Sequence, residues 1–167
     1  VDETPRTAEV PEDYVRRMAE EKASSGAALC GAQNPVLGAD TAVIRDDAIL
    51  GKPRDREHAL SMLRSLSGRT HRVCSAVSLS IAGRLQTRLS VTTVRFRDLE
   101  ERELEAYWRT GEPTGKAGAY AIQGIAAVFV SSIEGSYTGV VGLPLAETAE
   151  LLRAAGVATA LEREDTV

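Results

Sequence analysis

Aromatic side chains make up only 4% of the 167 residues, and basic side chains are outnumbered, 20 Lys and Arg against 24 Asp and Glu, for a net charge of −4. Single-stranded nucleic acids are held by aromatic stacking platforms and duplexes by basic surfaces. The chain is poor in both, so no nucleic-acid partner is expected. Cysteine is scarce too. Cys30 and Cys74 stand far apart and neither belongs to a Cys-x-x-Cys pair, which excludes a disulfide framework and a cysteine-built zinc motif. Two reduced thiols of a cytoplasmic protein are the simpler reading. His58 and His71 are the only histidines, so a metal here would be a hard cation held by carboxylates. No apolar run approaches the roughly 20 residues that span a bilayer, and no basic-then-apolar signal segment opens the chain. The sequence predicts no membrane partner. It also lacks a glycine-rich phosphate loop of the Walker type and a Gly-x-Ser-x-Gly elbow, so P-loop and serine-hydrolase chemistry are unsupported.

Apolar residues at 43% and charged residues at 26% are ordinary for a globular protein, and the length suits one domain over 1–167 with a sizeable core. The opening Val1-Asp2-Glu3-Thr4-Pro5 reads like the interior of a longer sequence. A helix is predicted after Pro11, with Glu12 and Asp13 at its positive end and Tyr14, Val15, Met18, Ala19 and Ala23 as its buried stripe. Lys22 lies on the border of that stripe, where it either reaches out to water or points into a cleft. Pro35 to Ile44 reads as a buried strand interrupted by Asp40-Thr41. Asp46-Asp47 reads as a turn, Gly51-Lys52-Pro53 as a loop, and Asp55 as the cap of a helix burying Ala59, Met62, Leu63 and Leu66.

From Val73 two strands are joined by a turn at Gly83. The apolar parity of the second shifts between Val91 and Val94, which predicts a β-bulge. Asp98 and Glu101 have capping-box spacing before a helix that turns Leu104, Tyr107 and Trp108 inward. Ala119 to Val130 reads as a further strand broken at Gln123-Gly124. A last helix starts near Pro144 and buries Leu145, Thr148, Ala149 and Leu152. The expected architecture is a layered α/β domain with a mixed sheet.

Three features break the core pattern. A carboxylate inside an apolar strand, Asp40, is costly unless it is paired, ligating or facing a cavity, although backbone amides at a strand end would also satisfy it. Lys52 is either a surface turn lysine or a charge aimed at phosphate. The run from Lys116 to Gly124 is dominated by small residues around one amide, Gln123, and glycine there marks close backbone approach. Glu3 is either a solvated acidic turn or a second metal carboxylate. Carboxylates for a divalent cation, lysines for phosphate charge and a glutamine for a base edge are the parts of a nucleotide hydrolase.

The order of short blocks then identifies a resemblance. Asp2-Glu3-Thr4, Leu37-Gly38-Ala39-Asp40-Thr41, Gly51-Lys52-Pro53, Leu66-Ser67-Gly68-Arg69-Thr70-His71, Gly111-Glu112-Pro113, Lys116-Ala117-Gly118-Ala119-Tyr120, Ile122-Gln123-Gly124, and Ile133-Glu134-Gly135-Ser136-Tyr137 with Val141-Gly142-Leu143-Pro144 resemble successive blocks of the Maf family, from Val1 to about Gly156. The resemblance implies a two-lobed α/β fold related to the inosine triphosphate pyrophosphatases, with an elongated sheet flanked by helices and the nucleotide in a cleft between lobes. It implies hydrolysis of a nucleoside triphosphate to monophosphate and pyrophosphate with a divalent cation, usually magnesium, with manganese as the alternative.

Carried over, Asp40 is the essential acid, as proton acceptor or metal carboxylate, and Glu3 joins the metal site. Lys22 and Lys52 contact phosphate, Lys116 lies in a substrate-binding block, and Thr41 and Gln123 bear on base preference. Asp-Thr and Ile-Gln-Gly go with dTTP and UTP, and modified pyrimidines fit the same reading. The alternatives are the sister group acting on 7-methyl-GTP and a non-catalytic nucleotide-binding regulator of cell division. Family members begin with a strand, a Ser-x-Arg-Arg loop and a helix that these 167 residues do not contain. That difference implies an exposed sheet edge compatible with a homodimer. Gly115 stands where many relatives have an acid.

Overall fold

In the computed structural model, which describes residues 1–31 and 33–161, five strands form one sheet with helices on both faces. Ala32 and residues 162–167 of the expected 1–167 unit lie outside the described residues. Helix α1 (Pro11–Cys30) starts on a proline, whose missing N–H is not needed in a first turn, with Glu12 and Asp13 beside it. Strand β1 (Val36–Arg45) turns through Asp46 and Asp47, both at positive φ, into the short β2 (Ala48–Leu50). Helix α2 (Arg56–Leu66) is capped by Asp55, whose Oδ1 accepts from the His58 N–H at 2.8 Å. β3 (Thr70–Ile81) and β4 (Arg84–Phe96) form the long central hairpin. Then come α3 (Glu101–Arg109), two short 3₁₀ helices (Ala117–Ala119 and Ile125–Phe129), β5 (Val130–Glu134), α4 (Tyr137–Val141) and α5 (Leu145–Ala154).

The strand order is β2-β1-β3-β4-β5. Every pairing among the described residues is antiparallel, so the layered α/β expectation holds while the sheet is not mixed. Two of the four pairings, β1–β2 and β3–β4, are hairpins, and hairpins join only antiparallel neighbours.

Alternation along the strands builds a core on each face. On one face Ala42, Ile44, Cys74 and Ala76 pack under Tyr14, Val15, Met18 and Ala19 of α1. On the other, Val43, Val73, Val94 and Phe96 pack with α2, α3 and the 3₁₀ segments, while Val77 and Leu79 pack against Leu151 of α5. Polar positions separate these two clusters. Ser75 Oγ donates to the Gly139 carbonyl at 2.6 Å, and Thr92 Oγ1 accepts from the Ser136 N–H at 2.9 Å. The second face thereby carries two separate apolar clusters, and α4 packs on β3 and β4 at these polar positions.

Several local expectations differ from the structure. β1 runs unbroken through Asp40 and Thr41, which pair with Ala76 and Ser75. The predicted bulge between Val91 and Val94 is absent, because the β3–β4 register is continuous. The parity change is a change of face: Leu89 packs toward α1, whereas Val94 and Phe96 pack on the opposite cluster. The register irregularity lies instead between Arg95 and Phe96, opposite β5. The capping box is Glu100 with Glu103, whose Oε2 accepts from the Glu100 N–H at 2.9 Å. Asp98 belongs to the strand exit, where the Gly68 N–H donates to the Arg97 carbonyl at 2.9 Å and delays the helix. Residues 119–130 do not form one strand. Gly118 and Ala119 take positive φ of 66° and 61°, which turns the chain away from a ladder. In α5, Leu145 is exposed and Leu151 takes the buried place.

Candidate active site

β2 covers only Val43 to Arg45 of β1, so among the described residues the stretch before Val43 has a strand neighbour on its β3 side alone. Successive side chains of a strand point to opposite faces, yet along such a stretch both faces border the same space. Asp40 and Thr41 therefore line one cleft from two sides. The cleft consists of two adjoining cavities of about 360 and 200 Å³ that share Thr41, Lys52 and Ala117.

The larger cavity is the charged end. Lys22, from α1, places Nζ 2.6 Å from Asp40 Oδ1 and 2.9 Å from Glu3 Oε1. Lys52 Nζ donates to Glu3 Oε2 at 3.1 Å. Four residues from four separate segments thus form one chain of contacts. Lys22 points into the cleft, and Asp40 is satisfied by that lysine. The segment carrying Glu3 is strapped to α1: Tyr14 Oη donates to the Glu3 carbonyl at 3.0 Å, and Arg17 donates to the Thr4 carbonyl at 3.1 Å and to both carboxylate oxygens of Glu9.

The electrostatics follow burial. The Asp40 side chain is 11% exposed and that of Lys22 is 30% exposed. Burial lifts the Asp40 carboxyl above the usual carboxylate range, and the hydrogen bond from Lys22 only partly offsets it. Lys22 is less buried. Burial opposes its charge, but its hydrogen bonds to Asp40 and Glu3 outweigh that and raise its pKa. Hydrogen bonds from Lys22 and then Lys52 hold Glu3 down to about 2.

This last shift carries a pH prediction. A carboxylate depressed in the folded state contributes stability that is present above its ordinary value of 4.5 and is lost as pH falls through about 2. The stability difference between wild type and Glu3→Gln is therefore expected to be constant near neutrality and to vanish across that acid window. Urea titrations at stepped pH read this directly. An undiminished difference at the acid end would show that Glu3 is not ion-paired in the folded protein.

The smaller cavity is the end without carboxylates. Val43, Ala121, Val140 and Val141 line it, with Gln123, Lys116 and Tyr120 bringing polar groups beyond the shared Thr41 and Lys52. Thr41 Oγ1 lies 2.8 Å from Ser75 Oγ. The Lys116 block reaches the cleft because the Gly118 N–H donates to the Gly51 carbonyl at 3.1 Å. A Cβ on Gly118 would meet the Val43 side chain at 2.9 Å. Gly115 also lines this cavity, at φ +74° with nothing within 4 Å of where a Cβ would stand.

Residues 1–155 match the family model described as Maf-like protein. The chain belongs to the Maf-like protein family. Among its relatives, the dTTP/UTP pyrophosphatase of Methylococcus capsulatus is 54% identical over 160 residues, covering 96% of this chain and 79% of that protein. The protein of the same name from Bordetella parapertussis is 56% identical and that from Nitrosomonas europaea 53%, each over 161 residues, 94% of this chain and 78% of theirs.

In this Maf-like chain every residue singled out from the sequence, Glu3, Lys22, Asp40, Thr41, Lys52, Lys116 and Gln123, lines one of the two adjoining cavities. Among the described residues no three His, Cys, Asp or Glu side chains cluster as a metal site. Two carboxylates, Glu3 and Asp40, do converge on one cation, the Lys22 ammonium. Such a hard-oxygen pair suits a hard divalent cation that keeps other oxygen ligands better than a closed protein cage. No helix of the described residues is long and apolar enough to cross a membrane.

Sequence reasoning missed two groups beside the site. Ser75 supports Thr41 from β3, and its only signal was a hydroxyl in an apolar strand. His71 contacts Tyr120, which lines the smaller cavity, with Nε2 2.8 Å from Tyr120 Oη. Burial holds that imidazole neutral, down to about 4, in a ring cluster with Phe96 and Tyr120.

Proposed function

We propose that this chain is a nucleoside triphosphate pyrophosphatase acting on dTTP and UTP, and on related pyrimidine triphosphates. The observation that carries the reading is the linked set Lys52–Glu3–Lys22–Asp40, held at 2.6–3.1 Å along a cleft whose other end has no carboxylate. A triphosphate fits the end where these four meet, and a base fits the end lined by Val43, Ala121, Val140 and Val141. The names of the relatives supply the substrate class, and Thr41 and Gln123 are the side chains offered to the base. Because the cleft is lined by residues from Glu3 to Gly142, we read that span as one undivided part of the expected 1–167 domain.

Lys22 and Lys52, now occupied by Glu3, would turn to the phosphate oxygens as the nucleotide enters. Asp40 is the proton acceptor. Water forms a bond to the α-phosphorus and loses its proton to Asp40, and the bond from that phosphorus to the bridging oxygen breaks with its electron pair leaving on pyrophosphate. Burial makes Asp40 more basic than an exposed carboxylate, which suits this role. A divalent cation, magnesium by the donor set, would be held by Glu3 and Asp40 and would neutralise phosphate charge. We place the protein in the cytoplasm, with its nucleotide substrates.

The deciding assay is pyrophosphate release from dTTP, UTP, GTP and 7-methyl-GTP with magnesium present. The first two are expected to react fastest. Fastest release from 7-methyl-GTP would assign the sister specificity instead. Saturable binding without pyrophosphate would make the chain a nucleotide-binding regulator.

A further inference from the structure

Gln123 is the one neutral amide lining the cleft, and it is exposed on a segment too short and too irregular to hold itself in place. What holds it is a carboxylate outside the cleft. Glu112 Oε2 accepts from the Ile125 N–H at 2.8 Å, and Glu112 Oε1 accepts from the Ala126 N–H at 3.2 Å and from Tyr107 Oη at 2.7 Å. Tyr107 Oη in turn accepts from the Ala121 N–H at 3.3 Å. Backbone donors on both sides of Gln123 are thus fastened to one acid–phenol pair. Ile122 and Ala126 are buried beneath it, and the Gly124 N–H closes a turn onto the Ala121 carbonyl at 3.0 Å. Residue 124 must be glycine for the carboxylate to come this close, since a Cβ there would lie 2.4–2.5 Å from the Glu112 carboxylate atoms. Burial works against the charge on Glu112, yet its hydrogen bonds outweigh that and keep its pKa below the ordinary value.

We infer that Glu112 and Tyr107 are positioning residues for base selection, holding the 121–126 segment so that the Gln123 amide meets the base edge at a fixed distance and angle. The inference rests on the pyrophosphatase reading, because it takes the carboxylate-free end of the cleft as the base site. An amide carries a donor and an acceptor side by side and can match a base edge with two hydrogen bonds. Such matching discriminates only if the amide is held in place, and displacements of about 1 Å are enough to lose it. Neither Glu112 nor Tyr107 lines either cavity of the cleft, so they act through the loop and not on the nucleotide.

The test uses binding, so that it does not depend on turnover. The probes are α,β-imido dTTP and α,β-imido GTP, whose bond at the cleavage site resists hydrolysis, and inorganic tripolyphosphate, which reports the charged end alone. Tyr107→Phe keeps the ring against Phe129, whose centroid lies 5.0 Å away, and removes only the hydroxyl. Glu112→Gln keeps the shape but places an NH₂ where an acceptor is required. In both variants the preference for the thymidine over the guanosine probe is expected to fall about 10-fold, within the range set by a few specific contacts. Tripolyphosphate affinity should not change, and hydrogen exchange should quicken at the Ile125 and Ala126 amides.

An unchanged preference in a folded variant overturns the inference. So does an equal loss of affinity for all three probes, which would mark a general structural role. If Glu112→Gln fails to fold, Tyr107→Phe decides. Failure of the pyrophosphatase reading looks different: the wild type itself would bind neither nucleotide probe, or would not tell them apart.

Discussion

Replacing Asp40 by asparagine is expected to slow pyrophosphate release from dTTP by about 10²–10³-fold, the usual loss when one transition-state-stabilising group is removed. Asparagine has the same shape and can still accept a hydrogen bond from Lys22, 2.6 Å from Oδ1 in the wild type. It cannot take up a proton, and it removes one of the two negative charges that face the cation position. The fold should survive. Lys22 keeps Glu3 as a partner at 2.9 Å and is 30% exposed, so the substitution does not strand a buried charge. The loss should fall mainly on kcat, because an interaction made in the transition state is missing. Lys52→Ala is expected to lose a similar factor, with a larger share in KM, since on the proposed reading its 62% exposed side chain would meet the nucleotide in the ground state as well. Wild-type rates for Asp40→Asn with saturating dTTP would show that the proton goes elsewhere.

Gly38→Ala is expected to be the most damaging small substitution for stability, at about 3 kcal/mol or more, at or beyond the upper end of ordinary overpacking. A Cβ on residue 38 would lie 2.3 Å from the Ala19 carbonyl oxygen, 2.3 Å from the Ala23 nitrogen and 3.0 Å from the Ala23 Cα. These are backbone atoms of α1, so no side chain can rotate away and the whole helix must lift from β1. Ala19 and Ala23 have no exposed surface, and this small-residue seam is why helix and strand approach so closely. The seam also sets the site. Lys22 lies one residue before Ala23, and Asp40 lies two residues after Gly38 on the same face of β1. Lifting α1 separates the ion pair, so activity should fall with stability. Gly51→Ala serves as the contrast, because nothing lies within 4 Å of a Cβ there. A melting temperature for Gly38→Ala equal to that of Gly51→Ala would refute the close-packing account.

Much of the architecture was legible because its signals are local. Pro11 opens α1, Asp55 caps α2, Gly83 turns the central hairpin, and paired Asp46 and Asp47 turn β1 into β2. Each depends on backbone constraints within a few residues. The errors arose where distant groups decide the local state. The run from Ala119 to Val130 has strand-like composition, yet its amides at Ile125 and Ala126 are satisfied by Glu112, so no ladder forms there. The parity change in β4 resembled a bulge because a sequence shows that burial changes but not which face receives it. Packing on both faces of one regular strand produces the same pattern.

The sequence by itself determined the family, the number and kind of the principal elements and the residue types of the site, since eight ordered blocks and strong local caps do not depend on long-range geometry. Only the tertiary structure decided that Glu3, Lys22, Asp40 and Lys52 touch, and that a carboxylate at residue 112 governs a loop more than ten residues away. Those contacts form where a helix meets the stretch of β1 that β2 does not cover. Their distances are set by how closely backbones pack, through residues such as Gly38, Gly118 and Gly124, whose missing side chains are chemically silent in a sequence.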